Sequence, residues 1–325
     1  MPEPALPRFA FLVHALSRFH RGAMGVPQGR LGLIFHRRDG SAVEDISTLC
    51  RFKLAGVAEG VVVGIPLTPE QMLTDQDLAL ERMVAAVASL DGVAAVGLGS
   101  LCAVIAGRGE ALAERVSVPI TTGAAATAWA LSENTLALRP EGRVGIIGSR
   151  GPVGRVVSEI LAAAGVSILV DSKRTGRSLK VPHADSPEAV AAACDVVVGA
   201  GPTGATLDPA ALRPGATVVD VAIPATIRGA IPAGVRVLSG EAVTPAPGWT
   251  RGFWGSAYHL LAGYGYSQVY ACLLEPLVLA ASGQTEPLAQ GRRVSAVAVA
   301  RFGTAARAMG FSPCHVADHG LSRWM

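Results

Sequence analysis

The chain has 325 residues, 50% of them hydrophobic and only 16% charged, with 28 basic residues against 25 acidic ones. That length fits two domains, or two and a piece, and the apolar share excludes a mainly disordered chain. The near-balanced charge, with no basic run, argues against a nucleic-acid partner.

In chain order the strand candidates are Phe9–Val13, Leu31–Phe35, Gly60–Ile65, Val93–Gly97, Arg143–Ile147, Ser167–Val170, Asp195–Val198, Thr217–Val221 and Val235–Leu238. Most are runs of Val and Ile with little alternation, as strands buried on both faces of a parallel sheet require. Helical patterns fall between and after them, at Pro69–Leu90, Ala124–Glu133, Pro152–Ala164, Pro187–Cys194, Ser267–Ala281 and Val294–Met309. The alternation predicts an α/β fold: a Rossmann-like dinucleotide-binding domain, an N-terminal α/β domain and C-terminal helices. Pro/Gly breaks at Arg139–Gly142 and Pro245–Gly248 set the expected boundaries. Residues 1–139 form the N-terminal substrate domain, 140–241 the nucleotide-binding domain and 242–325 a helical segment in which strand signals stop.

The longest weakly polar stretch, Gly92 to Gly107, is too short and too rich in glycine to span a bilayer. The first residues lack the basic start and small-residue cleavage site of a signal peptide. A soluble, cytoplasmic protein is expected, with peripheral membrane contact left open. Cysteines at 50, 102, 194, 272 and 314 are odd in number, widely spaced and without a metal-binding box, so no metal is expected.

The segment RVGIIGSRGPVG runs from a strand through Gly148-Ser149-Arg150-Gly151-Pro152-Val153-Gly154 into a helix. Glycines there permit a tight turn, close approach of a pyrophosphate and packing of helix on strand, while the helix N-terminus presents N–H groups to phosphate. The other reading is a structural turn. After the second strand, Asp171 stands where an acidic group would hold the ribose hydroxyls of NAD, unless it pairs with Arg174. Lys173, Arg174 and Arg177 follow and would neutralise a 2′-phosphate, which favours NADPH. Gly201 and Thr203, beyond a later strand, leave room for the cofactor.

Cys194 reads as core. Cys102, on a glycine-lined turn, is a rival nucleophile. Cys272 lies in YSQVYACLLEPLVLAASG, where Gln268, Cys272 and Glu275 share one helix face and Pro276 removes the backbone bond to the Cys272 carbonyl. Thiolates serve acyl-transfer chemistry, so Cys272 is a candidate nucleophile beside its packing role.

Several segments together resemble the cyanobacterial long-chain acyl-[acyl carrier protein] reductases, which form fatty aldehydes. They are GVVVGIPLTPEQML, GLGSLCAV, PITTGAAATAW, RVGIIGSRGPVG, VVDVAIPATI, VLSGEAV, QVYACLLE and ARAMGFSPCHV, collinear from about residue 59 to 317. The resemblance implies that Cys272 carries an acyl group as a thioester, that NADPH reduces it to an aldehyde, and that an acyl carrier protein or coenzyme A delivers it. Gln268 would then help hold the oxyanion, Glu275 orient or deprotonate the thiol, and His259 donate a proton. Thr121, Thr122 and Gly123 would line the cleft. Thr74–Asp77 replaces a basic cluster of that family, and Trp249–Tyr266 diverges from it, so another acyl chain or carrier is open. Three other readings stand beside this one. The first is an NADP-dependent dehydrogenase of the shikimate or glutamyl-tRNA reductase kind without covalent catalysis. The second is a non-catalytic NADP-binding scaffold, and the third an isomerase-like domain using Cys102. The sequence leaves the oligomeric state open.

Overall fold

A computed structural model describes residues 5–15, 46–201, 207–222, 225–227, 229–252 and 268–317. In chain order come strands β1 (Arg8–His14), β2 (Ser47–Leu54) and β3 (Ala58–Ile65), then helices α1 (Pro69–Thr74) and α2 (Gln76–Ala88). Strand β4 (Val93–Leu98), a short helix α3 (Glu110–Ala113), strand β5 (Ile120–Thr121) and helix α4 (Ala124–Ala137) follow. Next are β6 (Val144–Ile147), α5 (Pro152–Ala163), β7 (Ile168–Val170), α6 (Lys173–Leu179), α7 (Pro187–Ala193), β8 (Val196–Gly199), β9 (Thr217–Asp220) and β10 (Arg236–Ser239). The chain continues through β11 (Ala242–Thr244), β12 (Trp249–Arg251), β13 (Val269–Tyr270), α8 (Ala271–Ser282), α9 (Ala296–Ala308) and β14 (Ser312–Pro313). The predicted strand at 31–35 lies outside the described residues. Among them, no helix is long and apolar enough to cross a membrane.

The chain divides into two compact units. Unit 1 takes Met1–Gly123, Pro245–Leu261 and Cys272–Gly291; unit 2 takes Ala124–Thr244, Ala262–Ala271 and Arg292–Met325. The break therefore falls at 123/124, not 139/140, and residues 242–325 are shared between the units instead of forming a helical domain. Side chains on α4 show why. Trp129 sets its ring edge-on to Phe302 of α9, with centroids 5.4 Å apart. Asn134 donates from Nδ2 to the carbonyls of Gly240 and Ala242, at 3.2 and 3.3 Å. Burial of nearly every face of this alanine-rich helix ties it to unit 2.

Unit 1 holds a six-stranded sheet in the order β12-β2-β3-β1-β4-β5. Strands β3, β1, β4 and β5 run parallel, while β2 and β12 are antiparallel additions at one edge. The sequence reading missed β2 because Arg51 and Lys53 alternate with buried residues, the pattern of a half-exposed strand. On one sheet face Ala10, Leu12, Val61, Val63, Val96 and Leu98 pack with Met72 of α1 and Ala79, Met83 and Ala86 of α2. The predicted helix at 69–90 is split at Asp75, whose non-helical backbone ends α1 and whose carboxylate accepts from Leu78 N at 2.9 Å to start α2.

Unit 2 is built on a fully parallel sheet in the order β10-β9-β8-β6-β7. The chain leaves β6 for β7 on one side and returns to β8 on the other, so the strand order reverses between β6 and β8. Ligands of open α/β sheets bind at the carboxyl ends of strands beside such a reversal. Strands β13-β11-β14 form a small antiparallel sheet in this unit. Strand signals thus do not stop at residue 245: β12, β13 and β14 are two- or three-residue strands, too short for periodicity to reveal.

Candidate functional site

The glycine loop of unit 2 stands at the reversal. Gly148 ends β6 with φ +86°, a left-handed conformation that costs glycine little. A Cβ there would run into the backbone of Ala200 and Gly201, just beyond β8. The two loops touch because Gly148 carries no side chain at that point. Gly151 caps α5 with extended backbone and Pro152 begins the helix, but no side chain caps it. Its first-turn N–H groups, among them those of Val153 and Gly154, point out of the helix end in the manner of an anion site. A side chain on Gly154 would fill the space now occupied by the Gly148 carbonyl. Arg150 is exposed at the rim.

The structure turns Asp171 onto the glycine loop. Its carboxylate accepts from Gly148 N at 2.6 Å, from Ser149 N at 3.0 Å and from the Ser149 hydroxyl at 2.5 Å. The acid at the end of β7 braces the glycine loop from behind. Thr175 adds a second tie, its hydroxyl donating to Ser149 O at 3.1 Å. The run after Asp171 is no open turn: Ser172 accepts from Thr175 N and starts α6. Lys173 and Arg174 occupy its first turn and are exposed, as is Arg177 farther along. At the end of β9, Asp220 is likewise turned inward, accepting from Ala222 N and from the N–H and hydroxyl of Thr226. Thr203 lies outside the described residues.

The carboxyl edge of unit 1 carries the second cluster. The ends of β4 and β5 meet the start of α8. A Cβ on Gly97 would lie 2.6 Å from Pro276 Cγ, and one on Gly123, at φ +73°, would lie 2.6 Å from Cys272 Cβ. Glycine is needed at both positions because the helix start rests on them. Thr121 donates its hydroxyl to the carboxylate of Glu275, which is fully buried. Thr122 N donates to Ala289 O at 3.0 Å. Cys272 is half-buried. The structure thus brings Thr121, Thr122, Gly123, Cys272 and Glu275 together.

Gln268 is a correction. The helix begins at Ala271, after the β13 pair Val269–Tyr270, so Gln268 is not on the helix face of Cys272 and Glu275. Pairing of Tyr270 with Ala242 keeps those residues extended. His259 lies outside the described residues.

The other thiols are poor nucleophiles. Burial pushes Cys50 and Cys102 up to about 12 and Cys194 up to about 11, and raises Cys314. Cys102 is completely buried, which removes it as a rival nucleophile.

One residue at this edge escaped the sequence reading. His14 ends β1, the strand between β3 and β4, and is 2% exposed. Its position at the end of the first strand was the available signal.

Comparison with known proteins gives no family model that matches the chain. The aminotransferase PigE of Serratia sp. (strain ATCC 39006) is 28% identical over 287 residues, covering 81% of this chain. The chain spans about a third of that relative's length, 33%. Among solved structures, a glycerate dehydrogenase-related protein of Thermoplasma acidophilum is 15% identical, with TM-score 0.32 over 49% of this chain and 79% of its own. D-mandelate dehydrogenase of Rhodotorula graminis is 15% identical, with TM-score 0.27 over 67% and 74%. At those scores the likeness is slight. The PigE match corrects the resemblance to acyl-[acyl carrier protein] reductases, because the curated relative it names is an aminotransferase.

An aminotransferase holds pyridoxal phosphate on a lysine. The lysines of this chain are Lys53, Lys173 and Lys180, and all are exposed. Lys53 is paired with Glu59 at 2.9 Å. No lysine here is placed to form a buried Schiff base, so these residues do not fit that cofactor. The glycine cradle and uncapped helix of unit 2 do fit a dinucleotide.

Proposed function

We propose that this chain is an NADP(H)-dependent oxidoreductase of the dehydrogenase kind, with unit 2 holding the dinucleotide and the carboxyl edge of unit 1 receiving the substrate. The observation that carries the reading is the meeting of Gly148 with Ala200–Gly201 at the strand-order reversal, in front of a helix end without a side-chain cap. Gly148 permits the tight turn, Gly151 gives the pyrophosphate close approach, Gly154 lets α5 pack on the loop, and the first-turn N–H groups of α5 bind the phosphate. Asp171 keeps the loop in shape. Lys173 and Arg174 at the start of α6 take the 2′-phosphate. When bound, the nicotinamide supplies or accepts hydride.

Titration of the full chain with NADPH and NADH tests this. Arg174→Ala is expected to weaken NADPH binding about tenfold, the loss of one charge-assisted hydrogen bond, and to leave NADH unchanged. Failure of the wild-type chain to bind either nucleotide would overturn the proposal.

A second, finer reading is favoured by the half-buried Cys272 at the start of α8, set on Gly123. In that reading the substrate is an acyl thioester delivered by a carrier protein or coenzyme A. Cys272 sulfur bonds to the carbonyl carbon as the carrier thiol leaves, and Glu275 with Thr121 holds the helix start in place. Intact-mass measurement with acyl-coenzyme A, without NADPH, separates the two readings. Covalent reduction requires an acyl adduct on Cys272 that Cys272→Ala lacks. A dehydrogenase without covalent catalysis forms no adduct and keeps its turnover in that variant.

A further inference from the structure

His14 is the last residue of β1, at the carboxyl edge of the parallel strands in unit 1. Its Nδ1 lies 2.9 Å from the carbonyl oxygen of Ala15. A carbonyl only accepts, so Nδ1 carries the proton. Burial holds the ring below the ordinary histidine value of 6.5 and keeps it neutral. In a neutral ring protonated at Nδ1, Nε2 presents a lone pair. That atom is buried and, among the described residues, has no hydrogen-bond partner.

A buried acceptor without a donor costs a protein its full desolvation penalty, and an apolar side chain would avoid it. The strand ends beside it are those that bind ligands in open α/β sheets. Ala15 N donates to Leu67 O at 3.1 Å, beyond the end of β3, and Gly99 N donates to Leu12 O at 2.8 Å, beyond the end of β4. Ser100, next after Gly99, has φ +53°, a left-handed conformation that costs a residue with a side chain. An unmet acceptor and a strained turn thus stand at the ends of adjacent strands.

We infer that His14 is a substrate-binding residue whose Nε2 accepts a hydrogen bond from a donor on the ligand, a hydroxyl or an amide N–H. The inference rests on the reading of this edge as the substrate site and gives the substrate class one required feature. A ligand with a matched donor replaces the missing partner, whereas one with only acceptors there leaves two lone pairs facing.

The test uses the full chain labelled with ¹⁵N in its histidine rings, without nicotinamide cofactor. The probes are N-methylacetamide, which has an N–H, and N,N-dimethylacetamide, which has none. The His14 spectrum is expected to show the Nδ1–H tautomer at neutral pH. N-methylacetamide should move the Nε2 resonance saturably and N,N-dimethylacetamide should not. His14→Phe is expected to weaken N-methylacetamide binding about tenfold, and His14→Gln, which keeps an acceptor, to recover part of it. A wild-type far-ultraviolet circular dichroism spectrum and a cooperative urea transition in both variants show that the fold is intact. An Nε2–H tautomer, a charged ring, or an Nε2 resonance that neither probe moves would overturn the inference. Because no dinucleotide is present, such a failure leaves the NADP(H) proposal standing, and loss of NADPH binding would not touch His14.

Discussion

Replacing Asp171 with asparagine keeps the size of the side chain and removes one acceptor. In the wild type Oδ2 accepts from Gly148 N, while Oδ1 accepts from Ser149 N and the Ser149 hydroxyl. An asparagine can keep its carbonyl on the Ser149 side, but its NH₂ then faces the Gly148 N–H, donor against donor. A hydrogen bond to a charged group contributes about 1.5–3 kcal/mol, and partial exposure of Asp171 pulls this toward the lower end, about 2 kcal/mol. For a unit of this size that corresponds to a melting point lower by about 4–8 °C. Circular dichroism melts of the apo chain measure it, and NADPH and NADH titrations of the same variant follow the binding consequence. A brace lowers the apo melting point and weakens both nucleotides alike, because the loop itself loosens. If the apo melt is unchanged and only NADH binding falls, Asp171 is a ribose ligand and the reasoning about the loop is wrong.

Gly123→Ala is expected to lose about 1–2 kcal/mol from backbone conformation alone, and more from the collision with Cys272, read as a lower urea midpoint. Gly97→Ala overpacks the contact with Pro276 and Phe11 and should cost about 1–3 kcal/mol in the same experiment. Iodoacetamide at mildly alkaline pH should label Cys272 while Cys50, Cys102 and Cys194 stay unmodified, because burial keeps those three thiols protonated; peptide mass mapping checks it. His14 should make stability depend on pH. Its folded pKa lies below 6.5, so the unfolded chain binds the proton more readily, and the contribution is present above 6.5 and lost as pH falls below it. Urea midpoints measured across that range should fall less in His14→Phe than in the wild type.

The Val- and Ile-rich runs of β6, β8 and β9 could be read locally because strands covered on both faces need no polar alternation. The glycine loop was legible for a similar reason: Gly148, Gly151 and Gly154 are spaced by the chemistry of one turn and one helix start. The short strands β12 to β14 escaped because two or three residues carry no period, and β2 because half of it faces water. Gln268 was misplaced because helical spacing was extended across Val269–Tyr270, where pairing with β11 overrides it.

Local order in the sequence therefore determined the α/β class, the dinucleotide-type loop and the oddity of a proline four residues after Cys272. Tertiary structure decided which distant residues meet. Asp171 turns back onto the loop 22 and 23 residues before it. Glu275 reaches Thr121 across 154 residues, and Cys272 rests on Gly123. His14 is left with a buried lone pair. Hydrogen bonds and steric contacts act over a few ångströms in space, and the separation of their partners along the chain conceals them until the strands are in place.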